Sequence, residues 1–288
     1  MNTGPNQESA VTLAPRSFTF QSQDGYRIHG WDHGGPGRPV VFCHCTGTLG
    51  RIWDPVVRRL GEAFRCIALD TRGHGDSEMP DHPESVEWSL SGRDILQAVD
   101  ELGLEAPFAV GHSGGAAQVA YAEHFHPGVF GRVVLIDAII GPPAARQGGQ
   151  ILAEKVRHRI NTFANIEEAR ERFTAKPPMS RWHSEAVEAY LSHGFRASAE
   201  GIELKLKGSD EAEFYLRSGA AEVFAELENM PVKALLITGS DSDVRALAEA
   251  QHELLPHAEL QVIADCGHFI PQEKPDETAA AIRAWFTS

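Results

Sequence analysis

The chain has 288 residues, 42% of them apolar and 23% charged, and a formal net charge of −14 with histidines neutral. That composition fits one or two globular domains with a sizeable core and excludes a disordered chain. The acidic balance counts against nucleic acid or an anionic membrane as partner, and without an apolar run of 18 residues no membrane span is expected.

Residues 1–15 are polar and lack the basic flank and apolar stretch of a secretory signal, so they read as a disordered tail on a cytoplasmic protein. Ser17–Phe20 and Tyr26–Trp31 alternate with period two around Asp24-Gly25, which signals a hairpin. Short, mostly apolar runs follow at 39–43, 64–69, 108–110, 133–136, 234–237 and 260–263, as expected of strands buried on both faces. Helical periodicity fills the gaps at 53–63, 95–102, 116–125 and 276–286. Alternation at this spacing predicts a mostly parallel eight-stranded sheet flanked by helices. The alternation stops at 141–230, where helix-like stretches (151–164, 185–193, 211–227) surround Lys176-Pro177-Pro178. This segment is expected to be a helical lid inserted after the sixth strand, with 16–140 and 231–288 forming the core.

Cys43, Cys45, Cys66 and Cys266 are too few for a disulfide framework in a chain of this length. Cys43-His44-Cys45 also lacks the wider gap of a zinc knuckle, so the thiols read as reduced and no metal is expected.

Gly111-His112-Ser113-Gly114-Gly115 fits the pattern G-x-S-x-G. Alone it is a weak signal, but here it lies between an apolar strand and a helix of small residues. A tight turn at that junction would push the serine hydroxyl above the C-terminal edge of the sheet, where open α/β folds bind ligands. A serine hydroxyl needs a neighbouring base to attack at neutral pH. Among 14 histidines, His268 in Asp265-Cys266-Gly267-His268-Phe269 follows the last strand at the same edge, and is the candidate.

Four stretches in order now resemble the α/β-hydrolase fold superfamily, over residues 18–286. They are His44-Cys45-Thr46-Gly47, Asp70-Thr71-Arg72-Gly73-His74-Gly75-Asp76-Ser77, Gly111 to Gly115, and Gly267-His268-Phe269 with Glu273-Lys274-Pro275. The resemblance implies an oxyanion hole made by the backbone N–H groups of Thr46 and Gly114, with Cys45 replacing the family's usual glycine. It implies a structural role for 72–77. It leaves the acid partner of His268 open. The usual position falls at Ser242, flanked by Asp241 and Asp243, and a second position used by some members falls at Asp137. The serine at 242 favours Asp137, with Asp243 and then Asp241 as alternatives. The function implied is a lidded serine hydrolase of a small carboxylic ester or lactone, needing no cofactor. C–C bond hydrolysis or cofactor-independent haloperoxidation on the same residues are the alternatives, and a non-catalytic receptor is a third. Leu49, Trp53 and Trp182 are the candidate pocket residues, and an apolar lid would favour an uncharged acyl group. The sequence does not specify an oligomeric state.

Overall fold

The computed structural model describes residues 14–217 and 219–288; most of the tail expected at 1–15 lies outside the described residues. Six strands come first: β1 (Arg16–Gln21), β2 (Arg27–Asp32), β3 (Arg38–Cys43), β4 (Phe64–Asp70), β5 (Phe108–His112) and β6 (Val133–Ile136). Helices α1 (Asp54–Leu60), α2 (Trp88–Glu101) and α3 (Gly114–Phe125) connect them. Between Ile136 and Ala234 lie α4 (Arg146–Arg157), β7 (Thr162–Phe163), α5 (Ile166–Thr174), α6 (Ser184–His193), β8 (Phe195–Ser198), β9 (Gly201–Leu204), α7 (Gly208–Arg217) and α8 (Ala221–Glu226). The chain then returns through β10 (Ala234–Gly239), α9 (Arg245–Leu254), β11 (Ala258–Ile263), α10 (Ile270–Glu273) and α11 (Pro275–Thr287).

The main sheet has eight strands in the order β1-β2-β4-β3-β5-β6-β10-β11. β1 and β2 form the antiparallel hairpin, β2 runs antiparallel to β4, and every later pairing is parallel. Alternate residues of the central strands point to opposite faces. Val40, Phe42, Val110 and Ile136 join one apolar layer with α1 and α11, while Val41, Cys43, Ala109 and Leu135 join the other with α2 and α3. Both faces are therefore covered, which is why these strands read as mostly apolar runs.

The expectation of a wholly helical insertion is corrected. β8 and β9 pair antiparallel and β7 adds to β9, giving a separate three-stranded sheet. These strands have only two to four residues, too few for a period of two to stand out between helices. The helix expected at 151–164 lies at Arg146–Arg157, a further helix occupies Ile166–Thr174, and the stretch expected at 211–227 divides into α7 and α8 around Gly219. Among the described residues, no helix is long and apolar enough to cross a membrane.

Candidate active site

β5, β6, β10 and β11 end on the same edge of the sheet, and the candidate residues follow three of those ends. Ser113 sits directly between β5 and α3 with φ 58° and ψ −119°. A side chain rarely adopts that conformation, at a cost on the order of 1–3 kcal/mol. Backbone bonds hold it there: the Ser113 N–H donates to the Ile136 carbonyl at 2.9 Å, and its carbonyl accepts from Ala116 at 3.1 Å. The flanking glycines permit the close approach. A Cβ on Gly115 would lie 2.4 Å from the Cys43 carbonyl oxygen, so helix α3 can begin against the end of β3 only if that residue is glycine.

The Ser113 Oγ–H donates to His268 Nε2 at 2.9 Å. On the far side of the ring, His268 Nδ1–H donates to Asp137 Oδ2 at 3.0 Å. Asp137 is buried directly after β6, also at positive φ (44°), with its N–H on the Ile237 carbonyl at 2.7 Å. Its Oδ1 accepts from the Thr238 hydroxyl at 2.6 Å, and its Oδ2 accepts from Ser242 Oγ as well as the imidazole. A buried carboxylate with three donors is satisfied as an anion. Thus the serine that replaces the usual aspartate at 242 now hydrogen-bonds the carboxylate from the other position.

The other two aspartates stand apart from the ring. Asp241 is exposed and accepts from Ser240 Oγ at 2.8 Å and Arg181 at 3.2 Å; these bonds hold its carboxyl below the usual range. Asp243 is exposed. Neither side chain caps α9; Ser242 Oγ accepts the Val244 N–H instead, at 3.3 Å.

Thr46 lies against Gly114, the residue that follows the serine. A Cβ built on Gly114 would lie 2.9 Å from Thr46 Oγ1 and 2.8 Å from Trp88 Cζ2. The Gly114 N–H opens α3, a position with no acceptor inside the helix. No protein acceptor among the described residues engages the Thr46 N–H.

Two neutral histidines fix the loop that carries Thr46. His44 Nδ1–H donates to the Cys45 carbonyl at 2.9 Å while its Nε2 accepts the Thr71 N–H at 3.0 Å. His74 Nδ1–H donates to the Arg72 carbonyl at 3.1 Å while its Nε2 accepts the Gly47 N–H at 3.1 Å. Burial pushes His74 down to about 3, so it remains an acceptor at neutral pH. Arg72 in turn is buried on Asp94, with Nε and Nη2 bonds of 2.8 and 2.7 Å. The 72–77 turn therefore acts on the site at second hand, by bracing the 44–48 loop. Cys45 is buried with its Sγ 3.4 Å from Thr48 Oγ1, and burial pushes its thiol up to about 12.

The pocket candidates separate. Trp53 is fully buried with its ring 5.2 Å from Phe42, and Leu49 lies in the same apolar layer. Trp182 belongs to the insertion and packs 5.4 Å from Phe269, beside His268. Several insertion aromatics (Phe163, Phe173, Tyr190, Phe195) pack on one another. Against the loops beside Ser113 the insertion sets both apolar and polar groups, the Phe214 ring packing 4.6 Å from His74. The buried Glu211 carboxylate lies 2.6 Å from where a Gly47 Cβ would be and pairs with Arg159 at 2.5 Å. Burial raises the Glu211 carboxyl and the neighbouring Tyr215 phenol. Nothing in a helical stretch of the sequence marks Glu211 as a partner of that loop.

The insertion also grips the histidine loop. Arg181 Nε lies 2.9 Å from Glu273 Oε2, which accepts the Gly267 N–H at 3.2 Å, and the His183 N–H donates to the Gln272 carbonyl at 2.8 Å. Elsewhere, His29, Asp70 and Asp76 offer atoms within 4.8 Å of one another. That group is an internal brace: His29 Nδ1–H donates to Asp70 Oδ2 at 2.9 Å, and the Asp70 carboxylate also accepts the Gly50 and Asp76 N–H groups at 2.6 and 3.1 Å. Asp76 is further engaged by Lys205 at 2.6 Å.

Comparison with known proteins places this geometry in a family. Residues 40–281 match the model of the alpha/beta hydrolase family. The chain is 25% identical to a cis-3-alkyl-4-alkyloxetan-2-one decarboxylase of Shewanella oneidensis, over 96% of this chain and 90% of that one. It is 28% identical to 3-oxoadipate enol-lactonase 2 of Acinetobacter baylyi, over 85% and 87%. The crystal structure of an E-2-(acetamidomethylene)succinate hydrolase superposes with a TM-score of 0.82 at 22% identity, covering 95% of this chain and 100% of that one. A match over so much of the length, on a sheet of this strand order, leaves one conclusion: the chain belongs to the alpha/beta hydrolase family.

Proposed function

We propose that the protein is a serine hydrolase that cleaves a small carboxylic ester or lactone through an acyl-enzyme. The observation that carries this reading is the unbroken hydrogen-bonded line Ser113–His268–Asp137, with bonds of 2.9 and 3.0 Å, beside the free N–H groups of Thr46 and Gly114.

In the first step Ser113 Oγ attacks the acyl carbon as its proton passes to His268 Nε2. Asp137 holds the Nδ1–H tautomer and stabilises the imidazolium. The oxyanion rests on the N–H groups of Thr46 and Gly114, a type of contact worth roughly 3–4 kcal/mol per donor. The carbon–oxygen bond to the alcohol then breaks, and His268 returns its proton to that oxygen. Water then attacks the acyl carbon as His268 takes its proton; the acyl–Oγ bond breaks, His268 returns the proton to Ser113 Oγ, and the acid leaves. No cofactor enters this balance. A lactone gives the same steps with the alcohol still tethered to the acid, which accords with the 28%-identical enol-lactonase.

The segment 141–230 is the lid in this reading. Its Trp182, Arg181 and Glu211 reach the histidine loop and the 44–48 loop, so it would wall off water from both ends of the reacting line. The buried Glu211–Arg159 pair gives that wall a polar side, which suits an acyl group with a hydrogen-bonding substituent better than a plain alkyl chain.

A fluorophosphonate probe and a panel of p-nitrophenyl esters and lactones test the proposal together. Wild type should be labelled at Ser113 and turn over at least one class, and Ser113→Ala should do neither. Labelling without ester or lactone turnover would favour C–C cleavage on the same residues. An absence of both would favour a receptor.

A further inference from the structure

The residue before the nucleophile has no part in the steps above, yet it reaches the base. His112 is fully buried at the end of β5, and its Nε2–H donates to the main-chain carbonyl of His268 at 2.8 Å. The two rings lie 5.1 Å apart at their centroids, and the Phe269 ring packs edge-on at 6.0 Å. Among the described residues, His112 Nδ1 is buried with no hydrogen-bond partner.

Among the bonds that hold the His268 segment, two lie on either side of the ring's own residue. Glu273 takes the N–H of Gly267 at 3.2 Å, which anchors the loop to α10. The His112 bond anchors it to β5, the strand that carries Ser113. Ser113 and His268 are 155 positions apart in the chain, but through His112 the main chain of one is joined to the main chain of the other by a single hydrogen bond.

We propose that His112 is a positioning residue: its Nε2–H bond to the His268 carbonyl sets the distance between the attacking oxygen and the base. The inference rests on the reading of Ser113 and His268 as nucleophile and base. Charge works in the same direction. His268, Asp137 and His44 are the titratable groups that act on His112, and burial together with the His268 ring pushes it down to about 3. It therefore donates as a neutral ring and adds no positive charge beside an imidazolium that forms 5.1 Å away.

The test compares His112→Gln, whose amide can donate from a similar reach, with His112→Phe, which keeps a ring and loses the donor. On a substrate that the wild type turns over, His112→Phe should lower kcat and the rate of fluorophosphonate labelling by roughly ten- to hundredfold, the scale of a small misplacement of reacting groups. KM should stay within about twofold, and His112→Gln should recover most of the rate. Equal losses in both variants, or none in either, would overturn the proposal. Should His112→Phe not fold, His112→Asn takes its place, since its amide is too short to reach: equal rates for Asn and Gln would then overturn it. The His268 ring resonances of the free protein, recorded by NMR at one fixed pH, read the same geometry without turnover. His112→Phe should displace them and His112→Gln should leave them close to wild type; unmoved resonances in both variants would overturn the proposal. A wild type that neither labels nor turns over would sink the hydrolase reading instead, and the ring resonances would still judge His112.

Discussion

At the scale of single residues, the carboxylate is the sharpest test. Asp137 carries three hydrogen bonds and sits on the imidazole, whereas Asp241 is committed to Arg181 in solvent. Asp137→Asn is expected to lower kcat by on the order of 10⁴, through loss of the tautomer. Asp241→Asn and Asp243→Asn should each stay within about tenfold, and steady-state kinetics on all three variants decides. Ser242→Ala removes one donor to a charged oxygen, a loss of about 1.5–3 kcal/mol. Its cost should appear in kcat and remain well short of the Asp137 variant. At Ser242 a serine where the family's usual acid would stand is visible in sequence, while the bond it makes to Asp137 is not.

At the scale of elements, the site depends on loops held from outside their own strands. Gly47 has φ +87°, its N–H is held by His74, and the Glu211 carboxylate of α7 occupies the space a Cβ would need. Gly47→Ala should therefore shift the 44–48 loop and reduce turnover by at least about tenfold, with a stability loss of roughly 1 kcal/mol or more. Kinetics and denaturant titration on the same preparation separate the two effects. On the opposite side, the Glu273 side chain is 5% exposed and holds Gly267, while that of its partner Arg181 is 41% exposed. Glu273→Ala should cost about 1–3 kcal/mol by leaving the Gly267 amide unpaired. Arg181→Ala should cost no more than about 1 kcal/mol, as a half-exposed pair in water does. A larger loss at Arg181 than at Glu273 would refute this picture of the histidine loop.

Across the whole molecule, buried neutral histidines set the response to acid. Burial lowers His33, His44, His74, His112 and His193, the third and fourth to about 3. An unfolded histidine takes a proton near pH 6.5, so below that value the unfolded chain binds more protons than the folded one. Stability is then complete above about 6.5 and falls below it, by about 1.4 kcal/mol per pH unit for each histidine still held neutral, and for His74 and His112 the fall continues towards 3. Asp94, Glu123 and Glu211 are raised and oppose this, since the folded state holds their protons more tightly. They are fewer, and each also has bonds that pull it back down. Denaturant titrations should give a lower unfolding free energy at pH 5 than at pH 7. An equal or higher value at pH 5 would show that the raised carboxyls dominate.

The sequence by itself pointed to the sheet, because strands covered on both faces are mostly apolar, and the short runs at 39–43, 64–69 and 133–136, spaced by helical patterns, have that character. It also determined where the serine turns, since only glycine lets the backbone approach as closely as Gly115 approaches Cys43. It left open which aspartate faces His268, as Asp137, Asp241 and Asp243 all follow strands on one edge and differ only in where their side chains point. The tertiary structure decided that matter by closing β6 against β10, which brings Thr238 and Ser242 to the Asp137 carboxylate and turns Asp241 out to solvent. It likewise decided the contacts of His74, His112 and Glu211, which join segments far apart in the chain. Such contacts depend on the packing of whole elements, and a local pattern of residues holds no record of them.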